Sequence, residues 1–163
     1  MYGNLYLVST PIGNLDDLTY RAVKILSSVD IILAESTERA YKLLSHYRID
    51  TQVISFNKDN EKRKIENAID YLKDSKNVAL ISDAGTPSIS DPGFYLLSNL
   101  DEEVKVIPIP GASSLTCALS VSRIPVNGFT FLGFLPKKEN DRKNKLLQAS
   151  AAEFPLCLFE SKH

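Results

Sequence analysis

Val78-Ala79-Leu80-Ile81-Ser82-Asp83-Ala84-Gly85-Thr86-Pro87-Ser88-Ile89-Ser90-Asp91-Pro92-Gly93 is the stretch on which the fold turns. Residues 78–82 form an apolar run without alternation, which suits a strand covered on both faces by helices. The eleven residues 83–93 hold two Pro, two Gly and two Asp and almost nothing that builds a helix or strand. A loop of that length and composition inside a compact chain is uncommon unless it is functional. Phe94 to Leu100 reads as a short helix after it.

Working outward, the same order of strand, special loop and helix appears on both sides. Leu5 to Ser9 is a short apolar strand that ends at Thr10-Pro11-Ile12-Gly13-Asn14, where Pro and Gly stop the strand and force a turn. Asp16 or Asp17 is expected to cap a helix whose apolar positions Leu18, Ala22, Ile25, Leu26 and Val29 recur at three- and four-residue spacing. Ile31 to Glu35 reads as strand two, and Tyr41, Leu43, Leu44 and Tyr47 as the stripe of a second helix. Gln52 to Phe56 is a weak third strand. A charged helix from Asp59 to Lys73 follows, with Ile65, Ala68, Ile69 and Leu72 as its buried face. Val104 to Ile109 is strand five, and Pro110-Gly111-Ala112-Ser113-Ser114 turns into a helix carrying Leu115, Ala118, Leu119 and Val121.

Strands alternating with helices of this length predict an α/β fold. It is a mainly parallel five-stranded N-terminal sheet with helices on both faces, followed by the start of a second, mixed α/β domain. The boundaries read as 1–122 for the first domain, 123–128 for a Pro- and Gly-containing linker, and 129–163 for an incomplete second domain. That second piece offers a strand at Phe129 to Leu135, a charged helix from Glu139 to Ala152 and a strand at Leu156 to Glu160. One helix and two strands provide too little surface to close a core.

Composition bounds the function. The 163 residues hold 44% apolar and 24% charged side chains, the usage of an ordinary globular chain rather than a disordered, collagenous or coiled-coil one. Nineteen Lys and Arg stand against 20 Asp and Glu, so a nucleic-acid partner needs a local patch. The one basic cluster is Lys137, Lys138, Arg142, Lys143 and Lys145, diluted by Glu139 and Asp141; a solvated helix face and an RNA-steering stripe both account for it. Cys117 and Cys157 lie in apolar surroundings without metal or disulfide spacing and read as reduced core thiols. No apolar run approaches a membrane span and no basic region precedes an apolar stretch at the N-terminus, so a cytoplasmic location is expected.

In an open parallel sheet, ligands bind outside the carboxyl ends of the strands. Three loops there are rich in Gly, Pro, Ser and Thr: Thr10 to Leu15, Asp83 to Gly93 and Pro110 to Ser114. Glycine permits close backbone approach, and helix N-termini offer unpaired N–H groups. Tight turns and caps explain any one loop as well as ligand binding does, and three together favour a site. Neither the Gly-x-Gly-x-x-Gly fingerprint nor a Gly-Lys-Ser/Thr phosphate loop is present. With only His46 and His163 available, both read as solvated, a nucleophilic triad or a metal centre finds no support. Glu35 and Asp83 are paired carboxylates at strand ends, a pattern that capping explains equally well.

Three motifs occur in family order: Leu5-Tyr6-Leu7-Val8-Ser9-Thr10-Pro11-Ile12-Gly13-Asn14-Leu15, Ser82 through Gly93, and Pro108-Ile109-Pro110-Gly111-Ala112-Ser113-Ser114. With Gly133-Phe134-Leu135-Pro136-Lys137-Lys138 they extend the match from residue 5 to about residue 160. On these residues the chain resembles the small-subunit ribosomal RNA methyltransferase I family of the tetrapyrrole methylase superfamily. The resemblance implies an S-adenosyl-L-methionine-dependent methyltransferase that modifies the ribose 2′-oxygen of a cytidine in 16S rRNA. The partners it implies are 16S rRNA or the small ribosomal subunit and a second copy in a homodimer, with no membrane and no metal. A tetrapyrrole or other small-molecule methyltransferase, and a truncated cofactor-binding remnant without activity, are the alternatives.

The same resemblance implies that the cofactor lies between the two domains. It assigns cofactor contacts to Pro11, Gly13, Ser82, Asp83, Ala84, Gly85, Thr86, Ile89, Ser90, Ser113, Ser114 and Phe159. Oxygen-rich loops suit a cationic sulfonium, and N–H donors suit the carboxylate of its amino-acid tail. Methyl transfer depends mainly on holding acceptor oxygen and methyl group close and aligned, with a base needed at most for the hydroxyl proton. Glu35, Asp83 and Glu160 are the candidates for that base. The chain departs from the family at three places. Ser36-Thr37-Glu38 stands where Asp-Thr-Arg is usual, 55–61 lacks a histidine, and Glu160-Ser161-Lys162-His163 replaces Glu-Ser-Pro-His-Arg.

Overall fold

The computed structural model describes residues 1–161; Lys162 and His163, and with them the expected solvated histidine, lie outside the described residues. Strand and helix alternate as β1 (Leu5–Val8), a 3-10 turn (Leu15–Asp17), α1 (Tyr20–Ser28), β2 (Ile31–Ala34), α2 (Thr37–His46), β3 (Val53–Ser55) and α3 (Glu61–Lys73). They continue as β4 (Val78–Ile81), α4 (Phe94–Ser98), β5 (Val106–Ile109), α5 (Ser114–Val121), β6 (Thr130–Phe134), α6 (Glu139–Ala149) and β7 (Leu156–Phe159). The chain divides into two compact units, Met1–Ser114 and a second that begins at Leu115.

In the first unit five strands form one parallel sheet in the order β3-β2-β4-β1-β5. Side chains alternate between its faces. Val8, Ile32, Ala34, Ala79 and Ile81 pack with Ala22 and Leu26 of α1 and Leu43 and Leu44 of α2. Leu5, Ile31, Leu33, Val78 and Leu80 pack on the other face with Ile65, Ala68 and Leu72 of α3 and Leu96 of α4. Two cores, one per face, are what unalternating strands require, and helices on both faces are what the sequence predicts. Pro108, which cannot donate to a ladder, sits in β5 at the sheet's edge.

Chain entry into the helices differs from the sequence expectation at two points. Asp16 and Asp17 lie in the 3-10 turn, where the Asn14 side chain accepts from the Asp16 N–H, and α1 is capped by Thr19, whose hydroxyl accepts from Ala22 N–H at 3.1 Å. In α2 the buried row is Ala40, Leu43 and Leu44, whereas Tyr41 is exposed. Ser36 caps that helix through Arg39 N–H at 3.4 Å.

The second unit pairs β6 and β7 in parallel, with a register shift around Gly133, whose φ of +62° lies in the region that glycine tolerates best. Phe159 stacks against Phe131 and Phe134 at centroid distances of 4.9 and 5.4 Å. No side chain of this unit is buried among the described residues. Cys117 is exposed and Cys157 half-buried, which corrects the reading of both as core thiols: the apolar runs holding them have no second layer within this unit. No helix is long and apolar enough to cross a membrane among the described residues.

Candidate functional site

The connection leaving β1 runs to the α1 and α2 face, while the one leaving β4 runs to the α4 face. Adjacent parallel strands whose connections part in this way open a crevice beyond their carboxyl ends. The loops that follow β1, β4 and β5 meet there. Thr10 and Gly85 form an antiparallel bridge, Thr10 N–H to Gly85 O at 2.9 Å and Gly85 N–H to Thr10 O at 3.0 Å. Ser9 and Thr86 hydroxyls pair at 3.0 Å, and Thr10 Oγ1 donates to the Ser82 carbonyl at 3.1 Å. Gly85, with φ of +84°, sits where a Cβ would touch Ile12 Cγ2 at 3.6 Å and the Ala112 carbonyl at 3.8 Å, so the third loop closes on the same point. Gly111 packs against Ser9, and a Cβ on it would come within 2.9 Å of the serine Cβ.

The register of β2 with β4 ends at Ala34 and Ile81, so Glu35 and Ser82 are the first residues beyond the two strands and Ser36 and Asp83 the second. Their polar groups fall into two sets. On the α2 side, Asp83 Oδ1 accepts from Ser36 N–H and Oδ2 from Arg39 Nη1, both at 3.1 Å. On the α3 and α4 side, the half-buried Glu35 and Asp91 carboxyls are both held above the ordinary carboxylate range, chiefly by burial. For Glu35 the charges of Asp83 and Asp91 add to this, while Asp83 N–H and Lys58 oppose it. For Asp91 the Ser82 hydroxyl and Lys58 oppose and Asp83 adds. Lys58 Nζ donates to the Ser90 carbonyl at 2.7 Å. A carboxyl with a raised pKa accepts a proton more readily, whereas both Asp83 oxygens are already committed.

Loop 83–93 is anchored at its far end by Glu61, whose Oε1 accepts from the N–H groups of Gly93, Tyr95 and Leu96 at 3.1, 3.1 and 3.3 Å. Inside the loop Ser88 and Ser90 take φ of +68° and +64°, conformations uncommon for residues with side chains. Such φ values at a strand end mark a loop over-determined by its surroundings.

Sequence reasoning named Pro11, Gly13, Ser82 and Asp83, and these line one cavity of about 380 Å³ together with Arg39 and Lys42 of α2. Ala84, Thr86 and Ile89 are exposed at the crevice, Gly85 is buried in the bridge, and Ser113 and Ser114 end the β5 loop. Phe159 and Glu160 belong to the second unit, at the end of β7 and the residue after it. There Glu160, Lys137 and Arg142 line a separate cavity of about 470 Å³, and Lys145 Nζ is held by the Leu132 carbonyl at 2.9 Å. Arg39, Lys58, Glu61 and Asp91 escaped the sequence reading. Asp91 alone carried a signal, its place in loop 83–93.

Comparison with known proteins adds to this geometry. Residues 4–163 match the family described as Tetrapyrrole (Corrin/Porphyrin) Methylases. A Buchnera aphidicola subsp. Baizongia pistaciae protein named Ribosomal RNA small subunit methyltransferase I is 48% identical over 162 residues, 99% of this chain and 56% of that protein. Its namesake in Thermotoga maritima is 49% identical over 158 residues, 96% of this chain and 70% of that protein. The chain thus spans 56% of the length of the first of these relatives. Among solved structures, diphthine synthase superposes with a TM-score of 0.78 at 16% identity, covering 99% of this chain and 65% of the other. That likeness concerns the fold alone.

Proposed function

We propose that this chain, which belongs to the tetrapyrrole (corrin/porphyrin) methylase family, serves an S-adenosyl-L-methionine-dependent methyltransferase that modifies a ribose 2′-oxygen, that of a cytidine, in small-subunit ribosomal RNA. The observation that carries the reading is the meeting of three oxygen- and glycine-rich loops at the Thr10–Gly85 bridge, in a chain whose relatives at 48% and 49% identity bear the name Ribosomal RNA small subunit methyltransferase I. The donor chemistry of this edge fits the cofactor. Carbonyls and hydroxyls of residues 82–90 suit a sulfonium, and backbone N–H groups suit a carboxylate. When bound, the cofactor supplies an electrophilic methyl group.

The chain's own residues do the rest. The bridge and the Glu61 anchor tie loop 83–93 near both its ends, which lowers the ordering left for binding. Of the carboxylates in the first unit, Glu35 is the group assigned to take the hydroxyl proton, because its pKa is raised and Asp83 is occupied. Asp83 positions; it ties the β4 loop to the start of α2. Lys137, Lys138 and Lys143 steer the RNA backbone from the second unit. Glu160 is that unit's candidate for the chemistry, tested by Glu160→Gln.

Calorimetric titration with S-adenosylmethionine is expected to give about one site per chain, weakened at least tenfold by Asp83→Ala. Labelled methyl transfer to small ribosomal subunits lacking the modification is expected to map to one ribose. Cofactor binding without label in ribosomal RNA, or label in a base, overturns the reading.

A further inference from the structure

The cavity of about 380 Å³ between α2 and the β1 loop lies in the size range of small-ligand sites; Pro11, Gly13, Ser82 and Asp83 in its lining are given to the cofactor by the reading above, whereas Arg39 and Lys42 of α2 have no role there. Leu15, Ala34, Leu43 and Ile81 give it apolar walls. Arg39 and Lys42 stand three residues apart on α2, a spacing that puts them on one helix face, and both line it. Facing them is a single carboxylate, Asp83, so the lining carries an excess of positive charge. The Arg39 side chain is 70% exposed and spends Nη1 on Asp83 Oδ2 at 3.1 Å. A guanidinium has five N–H donors, and Asp83 is its one hydrogen-bond partner here among the described residues. The Lys42 side chain makes no hydrogen bond or ion pair among the described residues.

We propose that the α2 wall of this cavity is an anion subsite for one nucleotide of a bound RNA strand, with Arg39 and Lys42 contacting its phosphate. The proposal rests on the RNA reading of the preceding subsection and deepens it. Asp83 is itself fixed by Ser36 N–H at 3.1 Å, so it presets the guanidinium before a ligand arrives. A planar, oriented fork beside a mobile ammonium suits a phosphate, which the fork grips by two bonds and the ammonium as a point charge. The cavity opens on the α2 side of the sheet edge, and Glu35 and Asp91 lie on the α3 and α4 side. A flexible strand crossing that edge engages both sides at once, with the nucleotide in the cavity flanking the one at Glu35.

The test is fluorescence anisotropy of a labelled single-stranded 12-nucleotide RNA with this chain at several KCl concentrations, for the parent, Lys42→Gln and Arg39→Gln. Lys42→Gln breaks no hydrogen bond or ion pair of this side chain, so it separates ligand binding from folding. It is expected to weaken RNA binding several-fold at low salt and to lower the log–log salt slope by about 0.7, the value of one phosphate contact on a single strand. Its affinity for S-adenosylmethionine is expected to stay within about twofold of the parent. Arg39→Gln is expected to cost at least as much RNA affinity.

Parental affinity and slope in Lys42→Gln, with RNA still bound, overturn the subsite and leave the RNA reading standing. No RNA binding by the parent overturns both. Equal affinity for a polyglutamate of the same charge marks a general anion surface and overturns the nucleotide assignment.

Discussion

Glu35 follows β2 by one residue, and Ser82 follows β4 by one. Glu35 feels Asp91 and Lys58, and Asp91 is bonded by the Ser82 hydroxyl, whereas Asp83 is bonded to Ser36 and Arg39 at the start of α2. One step beyond the strand ends thus separates a carboxyl that titrates unusually from one that is locked in hydrogen bonds. Glu35 and Asp91 hold their protons more tightly folded than unfolded, so their contribution to stability is complete below about pH 4. It is lost as pH rises through their raised pKa values. Glu35→Gln and Asp91→Asn remove that loss. In urea unfolding between pH 4 and pH 8, both variants are expected to gain on the parent as pH rises and to converge with it at the acid end. A gap that stays constant with pH contradicts the burial effect. Glu35 and Asp83 were legible as carboxylates at strand ends, but their division between two sets of partners depends on register, which a single sequence does not carry.

At the scale of elements, the five strands and the helices between them were legible from apolar runs and three- and four-residue spacing. The three candidate loops were legible from Gly and Pro. What holds the longest loop was not. Glu61 is only 8% exposed and lies at the first position of α3, where sequence rules read a helix-opening acid. Its carboxylate instead caps α4, a five-residue helix whose own N-cap, Gly93, has no side chain to do so. The partner stands some thirty positions away, beyond any local pattern. Three hydrogen bonds to a carboxylate at a helix start predict that Glu61→Ala loses about 2–3 kcal/mol. Equilibrium urea denaturation checks this, and hydrogen exchange is expected to rise in residues 83–97 ahead of the rest of the first unit. Uniform exchange across the unit argues against a local anchor.

For the whole molecule, burial is unevenly shared. Among the described residues every buried apolar side chain lies at or before Ile109, while Val121, Phe134, Leu147 and Phe154 are exposed. The α5 residues Leu115, Ala118, Leu119 and Val121 form the apolar row read from the sequence, yet α5 has no buried residue. Periodicity reports which face is apolar, not whether anything covers it. With the domain boundary proposed at 122–123, a fragment of residues 1–122 is expected to unfold cooperatively with a midpoint within a few degrees of the full chain. A fragment of residues 123–163 is expected to show no cooperative transition by circular dichroism. A fragment 1–122 that binds hydrophobic dyes and melts without a transition contradicts the assignment of both cores to this part.

The strand order also sets a schedule for folding. Leu5 of β1 is flanked by Val78 and Val106, and β1 meets neither β2 nor β3. β1 therefore waits for strands far along the chain before its backbone finds a ladder, and closing such long loops raises the contact order and slows folding. Until β4 arrives, the apolar strand at the N-terminus is an open edge in search of a partner, and refolding at high concentration is where that wait becomes aggregation.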